Sequence, residues 1–237
     1  MKFIFTILFI VLTFNISAKP VTTFFTDANT FLEQWVMKGN VNYTGVKKNF
    51  SQIESLYRQI GEMDLSQATD AEKKAFYINS YNLAVIYQIA KYYPLKSPMN
   101  KSGFFDRVDH KIAGEKMTLN ELEIKKIVLP YGDPRIHFAV ACAAKSCPPL
   151  ASFAYVPNQL DKQLAQRTKK SINDNEFIQV KPGANQVAVS KIFDWYKKDF
   201  TKGGQTIIEF LNKYRDKAIP ASYQLTHYEY NWQLNDM

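Results

Sequence analysis

The residues best able to do chemistry lie between Asp133 and Leu150. Arg135-Ile136-His137-Phe138-Ala139-Val140-Ala141-Cys142 alternates in a way that predicts a strand, because strand side chains point to opposite faces in turn. Ile136, Phe138, Val140 and Cys142 then make a core face, and Arg135, His137, Ala139 and Ala141 the other. Two polar side chains beside two very small ones leave room for a ligand. They also leave room for a helix packed closely on the alanines, with His137 hydrogen-bonded in the core.

Cys147 follows in the loop Ala143-Ala144-Lys145-Ser146-Cys147-Pro148-Pro149, which can turn its sulfur back over the strand end. Lys145 and a protonated His137 would favour a thiolate there. With Cys147 as nucleophile and His137 as base, the expected chemistry is hydrolysis or acyl transfer. Arg135 and Lys145 would hold an anionic group of the substrate. A disulfide between Cys142 and Cys147 competes with this reading. It needs a sharp turn, because the Cα atoms must come within roughly 7 Å.

Three further residues join the candidate site. Asn79 and Asn82 are spaced to share a face of a helix that is otherwise apolar. Asn is a poor interior helix residue, so two of them need partners. Those partners are a substrate or oxyanion, or the backbone of a buried loop. Asp194, in Ser190-Lys191-Ile192-Phe193-Asp194-Trp195-Tyr196, is placed to orient His137 as the acid of a triad. It is equally placed to interact with the dipole of its own helix. The histidines are His110, His137 and His227, with no ligand-pair spacing, so neither a metal site nor a cofactor is expected.

The elements that position these residues follow from periodicity and end signals. Asp27 or Asn29 is expected to cap a helix carrying Phe31, Leu32, Trp35 and Val36. Ser51 with Glu54 has the capping-box pattern and opens a helix with Ile53, Leu56, Tyr57 and Ile60 inward, stopped by Gly61. A long helix runs from about Asp70 to Tyr93, where Pro94 follows. Hairpins are expected around Ala113-Gly114-Glu115 and around Pro182-Gly183-Ala184-Asn185. Thr118 with Glu121 opens a helix reaching about Leu129, and Pro157 starts another reaching about Ile172. Two more lie near Ile192 to Phe200 and Thr206 to Tyr214. Helices first and antiparallel strands in the middle give an α+β fold, a helical N-terminal part packed on a small antiparallel sheet.

Met1-Lys2, the apolar run Phe3 to Phe14 and the ending Asn15-Ile16-Ser17-Ala18 have the pattern of a secretory signal peptide, residues 1–18, cleaved near Ala18. The run is shorter than the roughly 20 residues that span a bilayer, and no transmembrane segment is expected in the mature chain. Residues 19–237 are expected to form a single domain in the periplasm or outside the cell. Apolar residues at 46% suffice for a substantial core and argue against disorder. The net charge of +8 draws the protein toward anionic partners. Export makes nucleic acid an unexpected one and points to an envelope partner or an anionic substrate.

Taken together, these segments resemble the domain of unknown function 547 family. The resemblance is carried by Phe76-Tyr77-Ile78-Asn79-Ser80-Tyr81-Asn82, Gly132 to Ala139, Cys142, Lys145-Ser146-Cys147-Pro148-Pro149, Ser190 to Tyr196 and the closing Tyr230-Asn231-Trp232-Gln233-Leu234-Asn235. In plant members the domain is joined to a coiled-coil segment, which implies an interaction module. A remote likeness to papain-like and transglutaminase-like cysteine hydrolases implies thiol chemistry. Those enzymes place the nucleophile on a helix ahead of the histidine, whereas here His137 precedes Cys147. Glu123-Ile124 also stands where many family members have Glu-His. Two readings result: a thiol-dependent hydrolase or acyltransferase of the envelope, and a non-catalytic binding or assembly module with a structural Cys142–Cys147 pair.

Overall fold

The computed structural model describes residues 21–237, so the expected signal peptide lies outside the described residues. The first half is helical: α1 (Val21–Trp35), α2 (Tyr43–Lys48), α3 (Phe50–Glu62) and α4 (Asp70–Tyr92), with the short hairpin β1 (Val36–Met37) and β2 (Asn40–Val41) between α1 and α2. The hairpin β3 (His110–Ile112) and β4 (Glu115–Met117) follows. The chain then winds through α5 (Leu119–Glu121), a π-helical stretch (Leu122–Val128) and α6 (Leu129–Tyr131). After α7 (Leu160–Ile172) come β5 (Ile178–Lys181), β6 (Gln186–Val189), α8 (Ile192–Trp195), α9 (Lys197–Phe200), α10 (Ile207–Asn212) and β7 (Gln224–His227). The class is α+β. The largest sheet is mixed, because β6 pairs antiparallel with β5 and parallel with β7.

Helix α4 is the centre of the N-terminal part and packs against α1, α2, α3 and the π-helical stretch. Its N-terminus is fixed by a capping box: the Thr69 hydroxyl accepts from the Glu72 N–H, and Glu72 accepts from the Thr69 N–H at 2.8 Å. The Thr118–Glu121 pair makes the expected capping box at the start of α5. Two expected caps are corrected. Among the described residues helix α1 spans Val21–Trp35, so Asp27 and Asn29 lie inside it, and Asn29 accepts instead from the Ala154 N–H at 3.0 Å. Helix α3 begins at Phe50 without a side-chain cap, so Ser51 does not open it.

The apolar residues form two clusters. One joins α1–α4 to Ile136 and Val140, and the other gathers Phe138, Phe177, Phe193, Phe200 and Phe210 beside β5–β7. The segment that holds both is not a strand. Pro134–Phe138 is a 3₁₀-helix, with the Asp133 carboxylate accepting from the Arg135 N–H at 3.0 Å. Asp followed by Pro is the usual start of a helix: the acid caps, and Pro at the first position needs no N–H. The short apolar run fits a strand or a buried helical turn equally well. Helical winding sends Ile136 and Phe138 into different clusters and leaves His137 between them. The two-faced strand, with Cys142 directed away from His137, is therefore corrected.

Candidate functional site

His137 and the two cysteines line one cavity of about 260 Å³ between the two clusters. Its other walls are Tyr81 from α4, Asn120 and Glu123 from the capped helix, Trp195 and Tyr196, and Tyr230 and Trp232 from the C-terminal tail. Phe105, Val140, Pro148 and Ile192 complete it.

Glu123 sits within the π-helical stretch, where the Leu129 N–H bonds to the Ile124 carbonyl. Pro130 one residue on lacks an N–H and crowds the carbonyl four residues back, which favours the wider winding here. The Glu123 side chain is only 7% exposed, and the Tyr196 hydroxyl donates to it at 2.6 Å. Among the described residues, no Lys or Arg forms an ion pair with it. Burial, and after it the nearby Glu123 carboxylate, pushes the Tyr81 and Tyr196 phenols well above their ordinary range.

The imidazole of His137 is buried, and its Nε2 lies 2.8 Å from Asp199 Oδ2. The hydrogen bond to His137 holds the Asp199 carboxyl below the usual carboxylate range. Tyr196 lies over the imidazole at 4.1 Å between ring centroids, and Phe200 is at 5.2 Å. His137 Nδ1 is buried and has no hydrogen-bond partner among the described residues. The acid beside His137 is thus Asp199. Asp194, the expected one, is exposed on α8. The reason is the break between α8 and α9, which turns the first acid outward and the second toward the ring.

Cys142 and Cys147 are joined as a disulfide, with Cα atoms 6.2 Å apart. The tight loop is made possible by Ala143, which takes a left-handed φ of 63°. The Cys142 N–H lies 2.9 Å from Cys147 Sγ, and the Tyr230 hydroxyl lies 3.2 Å from each sulfur. The C-terminal tail holds this arrangement. Lys145 N–H donates to the Gln233 carbonyl at 2.8 Å, and Asn235 N–H donates to the Ala143 carbonyl at 2.9 Å. On the other side, Gly39 in the β1–β2 turn packs directly on Pro149, where a Cβ would meet the proline ring. The Pro149 carbonyl accepts from Arg167 Nη2.

The remaining expected site residues lie elsewhere. Asn79 donates to the Ala75 and Tyr155 carbonyls and accepts from the Tyr155 N–H at 2.9 Å. Asn82 donates to the Ala139 carbonyl and accepts from the Ala141 N–H, both at 2.9 Å. Both amides are buried and engaged with loop backbone, so they anchor the site's scaffold and are not offered to a ligand. Arg135 is clamped by Asp133 through two hydrogen bonds and pairs with Asp161 at 2.8 Å. Lys74 also donates to Asp133 at 2.9 Å. Burial alone would raise the Asp133 pKa, but the hydrogen bonds from Arg135 and Lys74 outweigh it and hold the group at about 2. Lys145 is exposed and reaches Gln233 at 3.3 Å. Neither cation lines the cavity. Among the described residues, no cluster of side chains suits a metal ion.

Residues 65–172 match the family model described as "Protein of unknown function, DUF547", which supports that domain family for this stretch. The stretch includes the Asn79–Asn82 helix, Glu123, His137 and both cysteines. No curated protein and no solved structure matches the chain. No helix among the described residues is long and apolar enough to cross a membrane.

Sequence reasoning did not assign a role to Glu123, Tyr196, Asp199, Tyr230 or Trp232. An acid beside an otherwise apolar helix face is a local signal for Glu123; no comparable signal marks the other four as lining a cavity.

Proposed function

We propose that the cavity binds a small organic cation, an ammonium group on a compact apolar or aromatic body. The observation that supports this reading is Glu123, a buried carboxylate with no cationic partner of its own among the described residues, set among aromatic rings. A buried charge needs a partner or several hydrogen bonds, and here the protein supplies the Tyr196 hydroxyl at 2.6 Å with the Tyr81 hydroxyl also facing the acid, and no cation. Ring faces attract cations, by about 2 kcal/mol when the pair is desolvated. Tyr81, Tyr196, Tyr230, Trp195 and Trp232 line the space around the acid. The volume of about 260 Å³ suits a small molecule. On this reading the domain is a binding module, exported after cleavage near Ala18, and the cysteine pair shapes one wall.

Trp195 and Trp232 line the cavity, so intrinsic fluorescence reports on occupancy. Titration with phenethylammonium is expected to change the emission with saturation. The neutral analogue 2-phenylethanol is expected to bind at least tenfold more weakly. Equal response to both, or none to either, would refute the proposal.

A second reading keeps Cys147 as nucleophile with His137 as base. It is favoured by one arrangement: both residues line the same cavity, and Asp199 holds His137 as a triad acid would. It requires the disulfide to be opened first. Hydrolysis of a thioester probe only after reduction, abolished by Cys147→Ser, would support it.

A further inference from the structure

We infer that the Cys142–Cys147 disulfide is a reducible pair that exchanges with a small dithiol entering the aromatic cavity, with Cys147 as the leaving sulfur. The pair is not sealed in either core cluster. Both cysteines are part-exposed, and both line the cavity. A structural disulfide needs no donors directed at its sulfurs, yet Cys147 Sγ has two: the Cys142 N–H at 2.9 Å and the Tyr230 hydroxyl at 3.2 Å. Donors so placed stabilise a thiolate, and a stabilised thiolate is the better leaving group in thiol–disulfide exchange. The Cys142 sulfur has only the shared Tyr230 hydroxyl among the described residues, at 3.2 Å.

A thiolate of the dithiol attacks Cys142 Sγ, the sulfur–sulfur electron pair passes to Cys147 Sγ, and a mixed disulfide forms on Cys142. The second thiol of the dithiol, deprotonated, attacks its own sulfur in that mixed disulfide and displaces Cys142 as a thiolate, which takes up a proton. The dithiol is oxidised by two electrons to its cyclic disulfide, and the protein pair is reduced. The loop stays pinned through Lys145, Asn235 and the tail, so the two sulfurs remain neighbours and the bond can re-form with an oxidised dithiol. The aromatic wall is coupled to the same event, because the Tyr230 ring lies against Trp195 and Trp232 at 4.8 and 4.7 Å.

The test uses the purified mature chain without any ammonium ligand, so its outcome does not depend on the binding reading. Dithiothreitol is added under native conditions, and reduction is followed by alkylation and mass, with far-ultraviolet circular dichroism recorded in parallel. The expected result is complete reduction with the dichroism retained. In Cys142→Ser, the thiolate absorbance of Cys147 is expected to titrate with a midpoint below the roughly 8.5 of a free cysteine. Adding Tyr230→Phe to that variant is expected to move the midpoint up by about one pH unit, a tenfold loss of thiolate near neutrality. Tyr230→Phe alone is expected to slow reduction several-fold. Reduction only after denaturant has abolished the dichroism, or a Cys147 midpoint at or above the ordinary value, would overturn the inference. If Tyr230→Phe loses the native dichroism, the wild-type reduction and the Cys142→Ser midpoint decide alone.

Discussion

Replacing Asn82 by Ala tests whether the paired asparagines are scaffold or ligand groups. Asn82 is 2% exposed, and its amide spans the chain between Ala139 and Ala141, donating to one carbonyl and accepting from one N–H, both at 2.9 Å. Truncation leaves one buried donor and one buried acceptor without partners. Each costs about 1–3 kcal/mol, so the loss is about 2–6 kcal/mol in all. For a chain of this size that lowers Tm by roughly 4–24 °C. The segment released lies directly ahead of Cys142, so the disulfide loop is expected to lose its fixed position and any bound probe its affinity. Urea unfolding measures the stability and tryptophan fluorescence the binding. The reasoning is refuted if N82A unfolds within 1 kcal/mol of wild type while binding falls tenfold, because that pattern belongs to a ligand group. Asn79→Ala is expected to behave in the same way through Tyr155.

Three further outcomes are expected. His110 is buried with its Nδ1 at 2.9 Å from the Tyr57 hydroxyl, and burial holds its pKa at about 4 against 6.5 in the unfolded chain. The unfolded state therefore takes up the proton first, so stability is full above pH 6.5, falls by up to about 3 kcal/mol as pH drops to 4, and levels off below. Equilibrium unfolding across that range reads the slope, and His110→Gln is expected to flatten it. Gly39→Ala puts a Cβ into the Pro149 ring at a φ of 89°, and is expected to cost at least 2 kcal/mol in urea unfolding. Intact mass of protein recovered from the producing cells is expected to begin at Lys19; an unprocessed Met1 chain would contradict the export reading.

How much was legible in the sequence depended on range. The helices around Asp70–Tyr92 and Leu160–Ile172 and both longer hairpins were legible, because periodicity, Pro and local turn residues fix them. Pro134–Phe138 departs from the expected strand, since its short apolar run fits either period and the Asp133-Pro134 pair starts a helical turn. The parallel strand Gln224–His227 was missed because its partner at Gln186–Val189 is distant in sequence. His137, Cys142 and Cys147 stand out by residue type and share one cavity wall, and the disulfide is one of the two expected states of the cysteines. Asp199 lost to Asp194 because their difference lies in a helix break that spacing does not reveal. Tyr230 and Trp232 reach the cavity only through the backbone pairing of the tail with the cysteine loop, which no local pattern encodes. The anionic-substrate expectation drew on the net charge of +8 as well as on Arg135 and Lys145, and those two side chains reach partners outside the cavity.

A crystal soaked with 4-bromobenzylammonium tests whether Glu123 and the rings around it form a cation site. Anomalous bromine density is expected inside the cavity, with the ammonium nitrogen within hydrogen-bond reach of Glu123, and that density is expected to be lost in Glu123→Gln crystals soaked alongside. A cavity left empty at saturating probe, or equal occupancy in the Glu123→Gln variant, would contradict it.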